Sequence, residues 1–297
     1  MDKLDCMRAF VAVVEAESFT QAAASMQISK ALVSKYVGAL ESTLGVRLLN
    51  RTTRRMSVTD SGKAYYGRCI SVLQDIDEIE AALRSEHSQP EGVLRINAPV
   101  SFSELTLMPI LADFTQRYPN VTVKLDLADR FVDLIEEGVD LAIRIGALPD
   151  SSLVVRKLSE MRMFLCASPV YLANAGIPNT LDSLKTHNCI FDSNYKHKDK
   201  WVFGQGEHPI TVPIRSRINV NSARAVNELL LSNQGIGLLP SFVVEKDIKE
   251  GNLVRLLPDH EPEPTGVYAL YPHRKHLSAK VRLFIDDLVN RFQKYPL

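Results

Sequence analysis

What this 297-residue chain lacks bounds what it can be. It has no apolar run long enough to cross a bilayer: the longest charge-poor stretch, Leu229 to Val244, is broken by Asn233, Gly235, Gly237 and Pro240. Cysteine is scarce. Cys6, Cys69, Cys166 and Cys189 stand far apart with no C-x-x-C pair, which argues against a zinc site or a disulfide framework and for free thiols in a reducing cytoplasm. A redox pair of Cys166 and Cys189 is the minor alternative. Histidines fall mostly in loops without H-E-x-x-H or other compact ligand spacing, so no metal, cofactor or catalytic constellation is expected. The opening Met1-Asp2-Lys3-Leu4-Asp5 mixes charge into an amphipathic helix and does not read as a signal peptide. Net charge is absent too, with 35 Lys and Arg against 35 Asp and Glu.

Balanced overall, the charge is uneven locally. Between Gln27 and Arg68 the cations Lys30, Lys35, Arg47, Arg51, Arg54, Arg55, Lys63 and Arg68 oppose only Glu41 and Asp60. Such an excess on a neutral chain is the footprint of phosphate contact. The segment that carries it has two capped helices. Ser18 and Gln21 are spaced as a capping box, Ala22-Ala23-Ala24 permits a close helix crossing, Gln27-Ile28-Ser29 makes a tight turn, and Ser29 caps a helix starting at Lys30. In that second helix Val33, Val37, Leu40 and Leu44 face inward and turn Lys30, Ala31, Ser34, Lys35 and Gly38 outward. A helical hairpin with no DNA role is the competing reading; the cations favour a helix-turn-helix whose second helix enters the major groove. Leu4, Met7, Phe10, Val11 and Val14 supply a covering first helix. Leu48 to Val58 reads as a wing that brings Arg51, Thr52, Arg54 and Arg55 to the sugar-phosphate backbone.

From Thr59 to about Glu86 a single helix places Tyr65, Cys69, Val72, Ile76, Ile79 and Leu83 at steps of 4, 3, 4, 3 and 4, a heptad seam. No second apolar helix follows in sequence to cover it, so a second copy of the chain is the expected partner. Ser85 to Gly92 is a polar linker. Beyond it strands and helices alternate. Strands are expected at 93–98, 121–127, 139–145, 162–167, 188–191, 201–203, 210–212, 218–220, 236–239 and 267–271, and helices at 103–118, 131–137, 169–173, 222–233 and 278–292. The fold class is therefore α/β, with largely parallel sheets in two lobes.

The run Ser18-Phe19-Thr20, Ala22-Ala23, Ile28-Ser29, Val33-Ser34, Leu40-Glu41, Leu44-Gly45-Val46 and Leu48 to Arg55 resembles the N-terminal signature of LysR-type transcriptional regulators. Lys35, Tyr36 and the mid-helix Gly38 depart from the usual pattern and leave the operator sequence open. Ala98 to Phe102, Asp140 to Gly146, Asn221-Ser222 and Gly235 to Pro240 resemble that family's effector domain, itself similar to periplasmic solute-binding proteins. The resemblance implies a winged helix-turn-helix at 1–58, a dimerising linker helix at 59–88 and an effector domain at 89–297. Lobe I would span about 91–161 and 268–297, and lobe II about 162–267. It also implies dimers that pair into tetramers on a double-stranded DNA operator and touch RNA polymerase, with no membrane role.

Pro99 to Ser103 and Asn221-Ser222 both join a strand end to a helix start, where free N–H groups favour an anion. The expected site between the lobes comprises Val100, Ser101, Phe102 and Ser103, with Asn221 and Ser222 opposite. Phe203 is expected as an aromatic wall, and Arg130, Phe131 and Arg144 as flanking groups, either arginine being equally able to pair within the scaffold. The effector would be a small organic anion. Gly235-Ile236-Gly237 leaves a helix and enters a strand, the reverse of a dinucleotide loop. A small-molecule-processing α/β enzyme with an appended DNA-binding segment is the alternative, distinguished by turnover. A plain solute-binding module leaves the N-terminal segment unexplained.

Overall fold

The computed structural model describes residues 2–51, 56–84, 89–149, 151–195, 197, 199–204, 209–272 and 277–297; side chains at 51, 74, 75 and 77–84 are outside the description. Thr52, Arg54 and Arg55 therefore lie outside the described residues, as do the side chains of Arg51, Ile79 and Leu83.

Helices α1 (Lys3–Ala16), α2 (Phe19–Ser25) and α3 (Lys30–Leu44) form the N-terminal head, followed by strands β1 (Leu49–Arg51) and β2 (Met56–Val58) of a wing. Ser18 accepts from the Gln21 N–H and Ser29 from the Leu32 N–H, so both caps satisfy first-turn donors. Gln27 takes a positive φ of 56° in the turn between them. Phe10, Val13, Val33, Val37, Leu40, Leu48 and Leu49 make the head's core. Glu41, counted against the cations, accepts from the Leu48 and Leu49 N–H groups at 2.9 and 3.0 Å and ties α3 to the wing.

Helix α4 (Asp60–Arg84) leaves the wing. Its apolar stripe was expected to lack a partner within the chain, and here the structure corrects the reading. Helix α1 packs on α4, enclosing Cys69 completely and bringing Tyr65 to 6.0 Å from Phe10. Cys69 is thus core, whereas Val72 stays 43% exposed and Ile76 half-buried.

Two five-stranded sheets follow, built from β3 (Gly92–Ala98), β4 (Val121–Leu127), β5 (Leu141–Ile145), β6 (Val154–Met161), β7 (Met163–Ala167), β8 (Cys189–Asp192), β11 (Ser216–Val220), β12 (Ile236–Pro240), β13 (Val254–Leu256) and β14 (Thr265–Tyr271). Lobe I has the order β4-β3-β5-β14-β6 and lobe II the order β11-β8-β12-β7-β13. Both are mixed. Four strands of each share one direction and a single strand, β14 or β7, runs antiparallel to both of its neighbours, because β14 and β7 cross between lobes and enter from the opposite end. A separate hairpin, β9 (Lys200–Phe203) with β10 (Ile210–Pro213), flanks lobe II.

Residues expected to begin a helix at Ser103 are already helical at Val100: α5 (Val100–Phe102) passes through a π-turn, Ser103–Leu107, into α6 (Met108–Arg117). The helix expected over 131–137 is a single turn. Asp133 caps it through the Ile135 and Glu136 N–H groups, and Gly138 at φ 65° ends it. Helices α7 (Pro169–Ala175), α8 (Ala223–Leu231), α9 (Ser241–Lys249) and α10 (Ala279–Lys294) complete the chain, with β6, β13 and α9 unforeseen. One apolar core runs through both lobes, from Ile96 and Phe114 to Leu165, Trp201 and Leu238. No helix among the described residues is long and apolar enough to cross a membrane.

Candidate DNA interface and interlobe site

On α3 the inward face is Val33, Val37 and Leu40, all essentially inaccessible. Ser29, Lys30, Ala31 and Lys35 are exposed and Ser34 and Gly38 half-buried on the other side. This outward face begins at the helix N-terminus, whose dipole and two lysines favour phosphate while the short side chains admit a base edge.

Between the lobes the two expected junctions do meet. The Ser101 hydroxyl, 8% exposed, accepts from the Arg224 N–H in the first turn of α8 at 3.3 Å. Arg224 also pairs with Glu104 at 2.9 Å, and Ser222 caps its own helix by accepting from the Ala225 N–H. Asn194 carries the junction further: its amide donates to the Asn221 carbonyl at 2.9 Å and its backbone N–H to Asp192 at 2.9 Å, with the Asp129 carboxyl close by. The Val100 N–H lies on the other side of Asp129 and pulls its pKa down. The donor that sequence reasoning offered to an effector anion thus already faces a carboxylate of the protein itself.

Burial pushes the Asp129 carboxyl up, against the pull of the Val100 and Asn194 donors and the Arg144 charge. Asp192 is pushed up to about 6, first by burial and then by the nearby charge of Asp129. Neither acid was foreseen, nor were Asn194, Glu104 and Arg224. The one usable signal was Asp192, an acid ending an otherwise apolar strand.

Other expected contacts divide. Arg144 is buried and donates to the Ile143 carbonyl, the Asn97 side chain and the Arg130 carbonyl, with its guanidinium 5.6 Å from the centre of the exposed Phe131 ring. Arg130 is exposed and makes a bidentate pair with Glu137 at 2.8 and 3.2 Å. Both arginines are thus scaffold-paired. Phe203, 1% exposed, lies in the core beside Trp201 and offers no wall to a ligand, since its strand turns that face inward. Phe102 is core as well, stacked edge-on against Phe242 of lobe II at 5.8 Å and tilted against Phe292 at 6.1 Å. Ser103 is fully buried and its hydroxyl finds no partner among the described residues. Backbone departures of this π-turn kind recur at binding sites.

Two family models match the chain. Residues 4–63 match the bacterial regulatory helix-turn-helix protein of the lysR family, and residues 87–293 match the LysR substrate binding domain. An HTH-type transcriptional repressor of Pseudomonas aeruginosa is 38% identical over 100% of this chain and 94% of its own length. PtxR, an HTH-type transcriptional regulator of the same species, is 37% identical over 99% of this chain and 94% of its own. The solved structure of CrgA, a LysR-type transcriptional regulator from Neisseria meningitidis, superposes with a TM-score of 0.63 at 34% identity, covering 97% of this chain and 98% of that one. Head, linker helix and paired α/β lobes are the parts of a regulator that binds DNA and a small molecule, not of an enzyme, and the chain belongs to the LysR-type transcriptional regulator family.

Proposed function

We propose that this chain regulates transcription in the cytoplasm by reading a double-stranded DNA operator through Ser29, Lys30, Ala31, Ser34 and Lys35. Arg51, Thr52, Arg54 and Arg55 of the wing hold phosphates. The division into 1–58, 59–88 and 89–297 assigns these tasks to separate units. The observation that carries the reading is the exposed, short and cationic face of α3 set against an apolar core face. Lys35→Ala is expected to cost about 1–3 kcal/mol on the operator and to relax base preference, whereas Arg54→Ala weakens all duplexes alike and flattens the salt dependence. Fluorescence anisotropy across salt concentrations separates the two; an Arg54→Ala protein with altered base preference and an intact salt slope would reverse the assignment.

The effector we place between the lobes is a small organic anion. The start of α5 supports this, because no side chain caps it and its Val100 N–H already faces the Asp129 carboxylate, which an entering carboxylate would displace. Asp192 adds a condition: the anion carries a hydroxyl or ammonium donor facing it. A thermal-shift screen of plain, hydroxylated and aminated carboxylates tests the class, and stabilisation by plain carboxylates alone would remove the condition. Ser101→Ala is expected to blunt the response while leaving effector-free operator affinity within a few-fold.

We further propose that Val72, Ile76, Ile79 and Leu83 pair with a second copy, with dimers joining into tetramers on DNA and reaching RNA polymerase. The groove of about 330 Å3 between α1 and α4, lined by Leu4, Met7, Tyr65, Cys69 and Val72 with Lys3 and Arg68, supports a partner whose contact is apolar at its centre. Ile76→Glu is expected to sediment as a monomer, since an unpaired charge in such a seam is costly.

A further inference from the structure

Gly67 sits in the middle of α4, where glycine disfavours the helix by removing backbone restraint that alanine would supply. The structure shows why the side chain is missing: a methyl group on Gly67 would overlap the carbonyl oxygens of Ile135 and Glu136 in lobe I. One turn further on, Ile70 is 3% exposed yet stands outside the head's own core. Its burial comes from Gly138, whose Cβ position lies 2.8 Å from the Ile70 Cδ1. Beside these contacts Glu15 of α1 bridges to Arg95 at 2.6 Å and Lys124 at 3.0 Å, both on lobe I strands, and accepts from the Tyr66 hydroxyl. The head is therefore docked on lobe I of its own chain through a glycine, an isoleucine and one half-buried charge cluster.

The lobe I side of this dock is the single turn Asp133 to Gly138, and it is stiff. Asp133 caps it, the Val139 N–H donates to the Leu134 carbonyl, and Leu134 is buried on Ala142 and Leu270. Its other end is tied to the interlobe junction. Glu137 holds Arg130, the Arg130 carbonyl accepts from Arg144, and the neighbouring Asp129 lies between the Val100 N–H and Asn194. One short segment thus touches the interlobe acid at its start and the linker helix at its end.

We propose that residues 129–138 form the mechanical link between the interlobe site and the DNA-reading head, and that Gly67 is its receiving contact. The inference rests on the effector reading only for what occupies the site; the dock and the link are properties of the chain alone. A packed element whose position is biased at both ends carries coupling without a change in its internal structure.

The test uses the full chain without DNA or ligand, so failure of the effector reading cannot imitate failure of the link. Amide hydrogen exchange is followed in residues 133–139 and 62–72, with small-angle scattering for overall dimensions. Gly67→Ala, which favours the helix, is expected to raise exchange of the Glu137 and Val139 amides roughly tenfold and to enlarge the particle, while the amides of α1 to α3 keep their rates. Ile70→Ala and Glu15→Gln, which only remove contacts, are expected to act in the same direction and to a smaller extent. Asp129→Asn is expected to change exchange in 62–72 in the wild-type background and to lose that effect in the Gly67→Ala background. Unchanged exchange in all three dock variants would overturn the dock, and an Asp129→Asn effect of equal size in both backgrounds would overturn the link.

Discussion

The two lobes share one sheet plan and distribute their helices differently. In each, the fourth strand of the order runs against the other four, so β3 corresponds to β8 and β4 to β11. In lobe I the long helical run follows the inner strand β3 and only the turn Asp133 to Gly138 follows the edge strand β4. In lobe II the inner strand β8 leads out to the β9–β10 hairpin, and helix α8 follows the edge strand β11. The helix starts that meet between the lobes therefore come from non-equivalent places. They are also finished differently: α8 is capped by its own Ser222, whereas α5 has Pro99 at its N-cap and no side-chain cap, with the carboxylate of Asp129 facing it from another loop. A self-capped terminus is structure, and an uncapped one is open to exchange.

That contrast is most easily broken at Phe102, which anchors the lobe I junction. Truncation by Phe102→Ala removes a ring packed against both Phe242 and Phe292 and is expected to cost about 3–5 kcal/mol, read as a lowered denaturation midpoint. On the lobe II side no single residue of the junction is so enclosed, Asn221 being exposed. Asn221→Ala is accordingly expected to fall within about 0.5 kcal/mol of wild type. A large loss at Asn221 would show that the two junctions are equally structural.

The caps sharpen the comparison at a lower energy. Ser222→Ala removes a first-turn acceptor and is expected to cost about 1 kcal/mol, the usual value of such a cap. Ser101→Ala withdraws an acceptor from the Arg224 N–H across the interlobe boundary, and water can replace it if the lobes part, so a smaller loss is expected. Chemical denaturation of the two variants side by side checks the order. If Ser101→Ala proves the more damaging, the lobes are held together by that bond instead of by their shared core.

How much of this could be read in the sequence depended on range. The reader was legible because its determinants are local: Ser18 and Ser29 cap within three residues, and Val33, Val37 and Leu40 repeat at one helical period. The buried strands were legible as apolar runs, such as Leu141 to Ile145. Mixed strand direction was not, since it depends on β14 returning from lobe II more than a hundred residues after β5. Cys69 misled because the heptad spacing is the same whether α1 or another subunit covers it. Phe203 misled because a strand's period says which residues share a face and not which face is inward. Asp129 and Asn194 lie in loops, where no period exists, and become a pair only when the lobes come together.

The smallest expected effect is the response of that pair to pH. Asp192 titrates at about 6 in the folded chain, above the ordinary aspartate value near 4, because burial and the Asp129 charge disfavour its ionised form. A raised carboxyl favours the folded, closed state while it is protonated, so the contribution is complete below the ordinary value and is lost as pH rises through about 6. Glu15 runs the other way. Burial would raise it, but hydrogen bonds and charges from Arg95 and Lys124 outweigh burial and hold it below its ordinary value. Its contribution is present above the ordinary carboxylate range and is lost only as pH falls through the lowered value. From the ordinary aspartate value near 4 up to about 6 the Asp192 contribution declines as pH rises, with Asp129 acting in the same direction and the lowered His187 in the opposite one, while Glu15 adds no decline. Asp192→Asn keeps an acceptor for the Asn194 N–H and removes the charge, so it is expected to raise the melting temperature at pH 7 by about 2–4 °C, as a gain of order 1 kcal/mol would. It should also reduce the wild-type decline between about pH 4 and 6, whereas Glu15→Gln should leave that decline intact. Melting curves of the three proteins across this range decide it: a decline undiminished by Asp192→Asn would place the titrating group elsewhere in the chain.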